Sequence, residues 1–161
     1  MDSIFYKENA EFIRRSVRKE TPMKWIERTA YMDFLERHRE RSIIKVVAGV
    51  RRCGKSTLFS LYQERLLQDG VAKEQIHVIN FEDLAFEELQ EYHALYRYIS
   101  ERLVPEKWNY VFLDEIQHVP QFEKAVDSLF IKEKVDIYLT GSNAYFMSSD
   151  LATLLSGRYV E

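Results

Sequence analysis

Cysteine is almost missing from this chain of 161 residues: Cys53 stands alone. No disulfide can form within the chain, and no paired-cysteine metal site can be built. The four histidines, His38, His77, His93 and His118, fall at no metal-ligand spacing. Charge of one sign is lacking as well. Lys and Arg number 23 against 26 Asp and Glu, a net charge of −3, so the whole-chain field offers nucleic acid no general attraction. Apolar runs are short, and residues 43–50 and 110–113 fall far below the ~20 residues that span a bilayer. The opening MDSIFYKENAEF has no apolar signal-peptide core. A reducing, cytoplasmic setting with no membrane contact is the expectation. Turn formers are few too, with 5 Gly and 3 Pro, nearly all at element ends, which favours a tightly connected fold.

What is present alternates. Hydrophobic residues make up 46% and charged residues 30%, a globular balance for a single domain. Thr21-Pro22 reads as a helix start, and Met23, Ile26, Ala30, Phe34 and Leu35 recur at helical spacing to about residue 39. β-Branched strands are expected at 43–48, 76–81, 110–114 and 136–140. Helices are expected at 55–68, 86–103, 120–132 and 149–155, with Gly70 and Gly157 as stops. Strand–helix alternation of this kind predicts an α/β fold with a parallel sheet covered on both faces. Arg14, Arg15, Arg18 and Lys19 cluster in the first segment, as a basic arm or as a solvated terminal helix.

Three segments carry chemistry. Gly49-Val50-Arg51-Arg52-Cys53-Gly54-Lys55-Ser56 matches GxxxxGK[ST] between a strand and a helix, the context that a phosphate loop requires. Gly49 and Gly54 let successive N–H groups turn inward, and the helix start adds its own amides and positive dipole end. Lys55 then sets a cation against the β- and γ-phosphates, and Ser56 offers a hydroxyl to Mg²⁺. Arg51 and Arg52 contact phosphate, a partner or water, and Cys53 is a small residue that fits the loop. The second segment, Tyr110-Val111-Phe112-Leu113-Asp114-Glu115, brings two carboxylates to the C-terminal end of an apolar strand, where open α/β sheets bind ligands. Asp114 suits Mg²⁺ ligation, and Glu115 suits polarising an attacking water. Glu82 and Asp83 are candidates for an outer acidic shell or a solvated loop, while Gln117 and His118 receive no role. The third is Leu139-Thr140-Gly141-Ser142-Asn143, where Thr140, Ser142 and Asn143 are each able to hold a water. Arg158 is a candidate to meet developing phosphate charge, in cis or across a subunit boundary.

Together these segments resemble a family of bacterial and archaeal AAA-like P-loop ATPases. The likeness rests on residues 44–58, on Phe112-Leu113-Asp114-Glu115-Ile116-Gln117, on residues 139–143 and on Leu154-Leu155-Ser156-Gly157-Arg158-Tyr159. It implies a three-layer P-loop sandwich with strand order 5-1-4-3-2, ATP and Mg²⁺ as cofactors, and a phosphate loop whose contacts run from Gly49 to Thr57. Relatives carry a further C-terminal domain, often suspected to be nuclease-like. The expected division is an N-terminal extension at 1–22 and an ATPase core at 23–161 that stops early. A fifth strand beginning near Tyr159 would be largely missing, leaving the phosphate-loop strand at a bare edge open to self-association. The alternatives are a P-loop kinase and a nucleotide-binding interaction or DNA-binding module with negligible turnover. No Asn-Lys-x-Asp motif supports a GTPase.

Overall fold

The computed structural model describes residues 29–132, 134–142, 155 and 158–160. The expected start of the first helix, the basic cluster at 14–19 and the helix at 149–155 lie outside the described residues, Leu155 excepted. So do Asn143 and Gly157. The elements run α1 (Thr29–Arg37), β1 (Ile44–Gly49), α2 (Lys55–Gln68), β2 (Ile76–Asn80), α3 (Tyr92–Ser100), β3 (Asn109–Asp114), α4 (Phe122–Phe130), β4 (Val135–Ser142) and β5 (Tyr159–Val160).

All the strand pairings are parallel, in the order β2-β3-β4-β1-β5. This is the expected 5-1-4-3-2 order. The fifth strand begins at Tyr159, where expected, and is a stub of two residues: Tyr159 and Val160 pair with Ile44 and Lys45. The phosphate-loop strand is therefore covered along its first two residues on that side.

Alternation along β3 explains the layers. Val111 and Leu113 join Ile44, Val46, Ile137 and Leu139 against Leu95 and Ile99 of α3 and Phe122, Val126 and Leu129 of α4. Tyr110 and Phe112 point the other way, toward Leu35 of α1 and Leu58, Phe59, Tyr62 and Leu66 of α2. Every residue of β3 is buried, as expected of a central parallel strand covered on both faces. Phe112 and Tyr138 stack at 4.6 Å, and Phe59 meets Phe112 edge-on at 5.1 Å, geometries that add to burial alone.

One helix differs from expectation. In place of a continuous helix over 86–103, a 3-10 segment Leu84–Leu89 precedes α3. Local caps break the run: the Asp83 carboxylate accepts from the Ala85 amide, and Glu91 accepts from the amides of His93 and Ala94. Acidic side chains at such positions satisfy the amides that a helix start leaves open, so α3 begins afresh at Tyr92.

Candidate functional site

The strand register brings the chemistry to one end of the sheet. Gly49 stands beside Ser142 and Asn80 beside Asp114, while Leu113 is level with Leu139, so β2 and β3 end together and β1 and β4 run about two residues further. Their C-terminal ends frame the crevice where open α/β sheets take ligands.

Between β1 and α2 the backbone makes the turn that the motif requires. Arg52 takes φ 64° and Gly54 takes φ 89°, so two left-handed residues are interspersed in the loop, the kind of alternation that makes concave nests of amides. Gly54 precedes Lys55 at the N-cap with no side-chain cap, leaving the helix start to serve a ligand. At Gly49 a Cβ would lie 2.7 Å from Cys53 Sγ and 3.6 Å from Lys55 Cδ. Cys53 thus packs across the loop onto the glycine, and its amide donates to Val50 O at 3.2 Å.

Lys55 is 4% exposed. Its Nζ donates to Gly49 O at 3.1 Å and Val50 O at 3.3 Å, and lies 3.3 Å from Glu115 Oε1. Lys55 and the carboxylate that directly follows β3 therefore meet at one end of the sheet. Thr140 ties the two carboxylate residues together. Its hydroxyl donates to Asp114 Oδ1, and its oxygen accepts from the Glu115 amide at 2.9 Å. Among the polar residues ending β4, Thr140 is the one in contact with Asp114 and Glu115. Ser142 sits level with Gly49, and Asn143 falls outside the described residues. Glu115 adopts a left-handed backbone, φ 56° and ψ 48°, which turns the chain sharply after Asp114.

Ser56 and Thr57, in the first turn of α2, are exposed, open to solvent and to a ligand. Arg51 is exposed and pairs with Glu82 Oε1 at 2.9 Å, linking the phosphate loop to the segment after β2. Glu82 is thus engaged by Arg51, Asp83 caps the 3-10 segment, and Arg52 is exposed.

Arg158 is not brought to this end. Its carbonyl accepts from Ile44 N at 2.8 Å, its guanidinium lies 3.9 Å from Asp127 Oδ1, and it stands over the Phe130 ring. Ile44 opens β1 and Gly49 closes it, so at ~3.3 Å per residue the Arg158 backbone lies roughly 17 Å from the loop. This corrects the expectation of a cis contact with phosphate, because β5 runs parallel to β1 and starts at its far end.

One contact went unread in the sequence. Gln117 Nε2 donates to Glu115 Oε2 at 2.6 Å. An i, i+2 pair shares a face in a strand but not in a helix, so its meaning depended on the turn at Glu115.

Among the described residues no group of three or more His, Cys, Asp or Glu is arranged to hold a metal. Mg²⁺ asks for less from protein, one or two oxygens beside phosphate and water. The Ser56 hydroxyl and the Asp114 carboxylate are the right donor types. No helix among the described residues is long and apolar enough to cross a membrane.

A glycine loop leading from the first strand of a parallel 5-1-4-3-2 sheet into a helix, facing an acidic pair at the end of the third strand, is the architecture of a P-loop NTPase-like fold. Residues 41–161 match the family model described as AAA domain, and the chain belongs to that family. It is also similar to an uncharacterized protein of Haemophilus influenzae, 41% identical over 137 residues, covering 84% of this chain and 34% of the relative. A second similar protein is the uncharacterized protein MJ1544 of Methanocaldococcus jannaschii, 34% identical over 121 residues, 71% of this chain and 24% of the relative. The chain thus spans about a third or less of these relatives' lengths.

Proposed function

We propose that this chain is the core of a Mg²⁺-dependent ATPase whose hydrolysis cycle works as a nucleotide switch. The observation that carries the reading is the meeting of Lys55 with Glu115 at 3.3 Å, while Thr140 joins Glu115 to Asp114. Lys55 and the loop amides bind the β- and γ-phosphates. Ser56 and Asp114 hold the Mg²⁺, which neutralises charge on the phosphate oxygens when bound. Glu115 takes the proton of the attacking water, and Thr140 keeps its backbone in register with Asp114. Ser142, at the same sheet end, helps to hold the water, a role for which the sequence also offers Asn143. Arg51, Arg52, Cys53 and Thr57 complete the wall around the phosphates, with Arg51 leaving Glu82 for phosphate as the switch engages. Arg158 acts across a subunit boundary, on a neighbouring subunit's nucleotide.

A cavity of about 330 Å³ lies between α1, β1 and α2, lined by Ala30, Tyr31, Phe34, Val47, Ala48 and Leu58 among others. Its place just before Gly49 and its apolar walls suit a nucleotide base. The protein works in the cytoplasm, its ATPase core spans 23–161, and it self-associates along the side of β1 beyond Lys45.

The test compares wild type with Glu115→Gln in nucleotide binding and phosphate release. The variant should bind Mg-ATP as wild type does while releasing phosphate about 10²-fold more slowly, the scale of losing a general base. If both bind ATP and neither hydrolyses it, the protein is a nucleotide-binding module. A phosphorylated acceptor in place of free phosphate would make it a kinase.

A further inference from the structure

Glu115 must do its work after its surroundings change. Among the described residues its carboxylate meets Lys55 at 3.3 Å on Oε1 and Gln117 Nε2 at 2.6 Å on Oε2. Once nucleotide arrives, Lys55 turns to the phosphates and ceases to be Glu115's counter-ion. Gln117 is under no such demand. The sense of its amide is set by chemistry, since an Oε1 turned toward a carboxylate oxygen would be repelled. Its own Oε1 is buried without a donor among the described residues. Buried acceptors are seldom left so, and this one sits on the same amide that grips Glu115. The local backbone makes the grip possible: the left-handed turn at Glu115 and the short 3-10 segment Ile116–His118 fold Gln117 back onto it.

We infer that Gln117 is a positioning residue, holding the Glu115 carboxylate toward the attacking water after Lys55 has gone to phosphate. The inference rests on the ATPase reading above. It acts through Glu115 and needs no contact with the nucleotide, so its loss lowers turnover without weakening binding.

The experiment is a double-mutant cycle on this chain, with ATP affinity, KM, kcat and melting temperature measured for each protein. Gln117→Ala should lower kcat about tenfold or more, the scale of losing an outer-shell partner of an active-site group, with ATP affinity within about twofold of wild type. Gln117→Met keeps much of the length and removes the donor without adding a charge. It should lower kcat similarly at an unchanged melting temperature, and it replaces the alanine variant if that one fails to fold. In a Glu115→Gln background, Gln117→Ala should have little further effect on single-turnover phosphate release. Wild-type turnover in both Gln117 variants would overturn the inference, and so would an equal loss with and without Glu115. A wild-type protein that binds ATP but releases no phosphate removes the ATPase reading itself, and this inference falls with it.

Discussion

At Glu115 a long acidic side chain sits on a left-handed backbone, φ 56° and ψ 48°. L-residues enter that region at a cost of about 1–2 kcal/mol, so something must hold it. Thr140 does, by accepting from the Glu115 amide while donating to Asp114. Its side chain is fully buried. Thr140→Val keeps the shape and deletes both bonds, leaving a buried amide and a carboxylate oxygen short of a partner. The expected result is about 1–3 kcal/mol less stability together with slower phosphate release. Chemical denaturation and a phosphate assay on the same preparation check both. The role of Thr140 was legible only in part: Thr140, Ser142 and Asn143 have similar chemistry, and strand register alone distinguishes Thr140 from Ser142. Gln117 was not legible at all, because its partner is supplied by a backbone turn that residue identity does not announce.

Among the elements, β1 and β4 are joined by more than their ladder. Lys45 and Asp136 form an ion pair with both side chains fully buried, and Asp136 also accepts from Tyr138 Oη at 2.7 Å and the Glu40 amide at 2.8 Å. Burial pushes Lys45 below its ordinary pKa and Asp136 above its own, and each restrains the other's shift. Breaking one side of such a pair costs more than the pair is worth. Asp136→Asn should therefore destabilise the fold by about 3–5 kcal/mol, whereas Lys45→Met combined with Asp136→Asn should recover much of the loss. Urea midpoints of the two variants decide it. This pair lies near the end of the sheet away from the phosphate loop, so nucleotide affinity per folded molecule should change little.

For the molecule as a whole, acid sensitivity has an identifiable contributor. His77, on β2 at the sheet edge, donates through Nε2 to Asn109 Oδ1 at 3.1 Å, and Asn109 in turn holds Val104 and Lys107 through backbone contacts. Burial pushes the His77 pKa below its ordinary value. The unfolded chain then takes up a proton at higher pH than the folded one. The contribution of His77 is full above about pH 6.5 and is lost as pH falls through the lowered folded value. Wild type should thus lose stability on going from pH 7.5 to pH 5, and His77→Gln should flatten that part of the curve. Paired denaturation curves across the range measure it.

While the strand order was implied by the family resemblance, sequence pattern alone determined the glycine loop between strand and helix, the acidic strand end and the parallel α/β alternation. These depend on local pattern: glycines at fixed spacing, β-branched runs, and a strand–helix alternation with few ways to connect. The helix over 55–68 coincides with α2 for that reason. Tertiary structure decided the rest. It moved Arg158 to the far end of β1, because a parallel strand begins where its neighbour begins. It also brought Gln117 to Glu115 and Lys45 to Asp136, pairs made by a backbone turn and by a sheet register. Spacing along a chain cannot encode such meetings, which exist only where separate strands and turns converge in space.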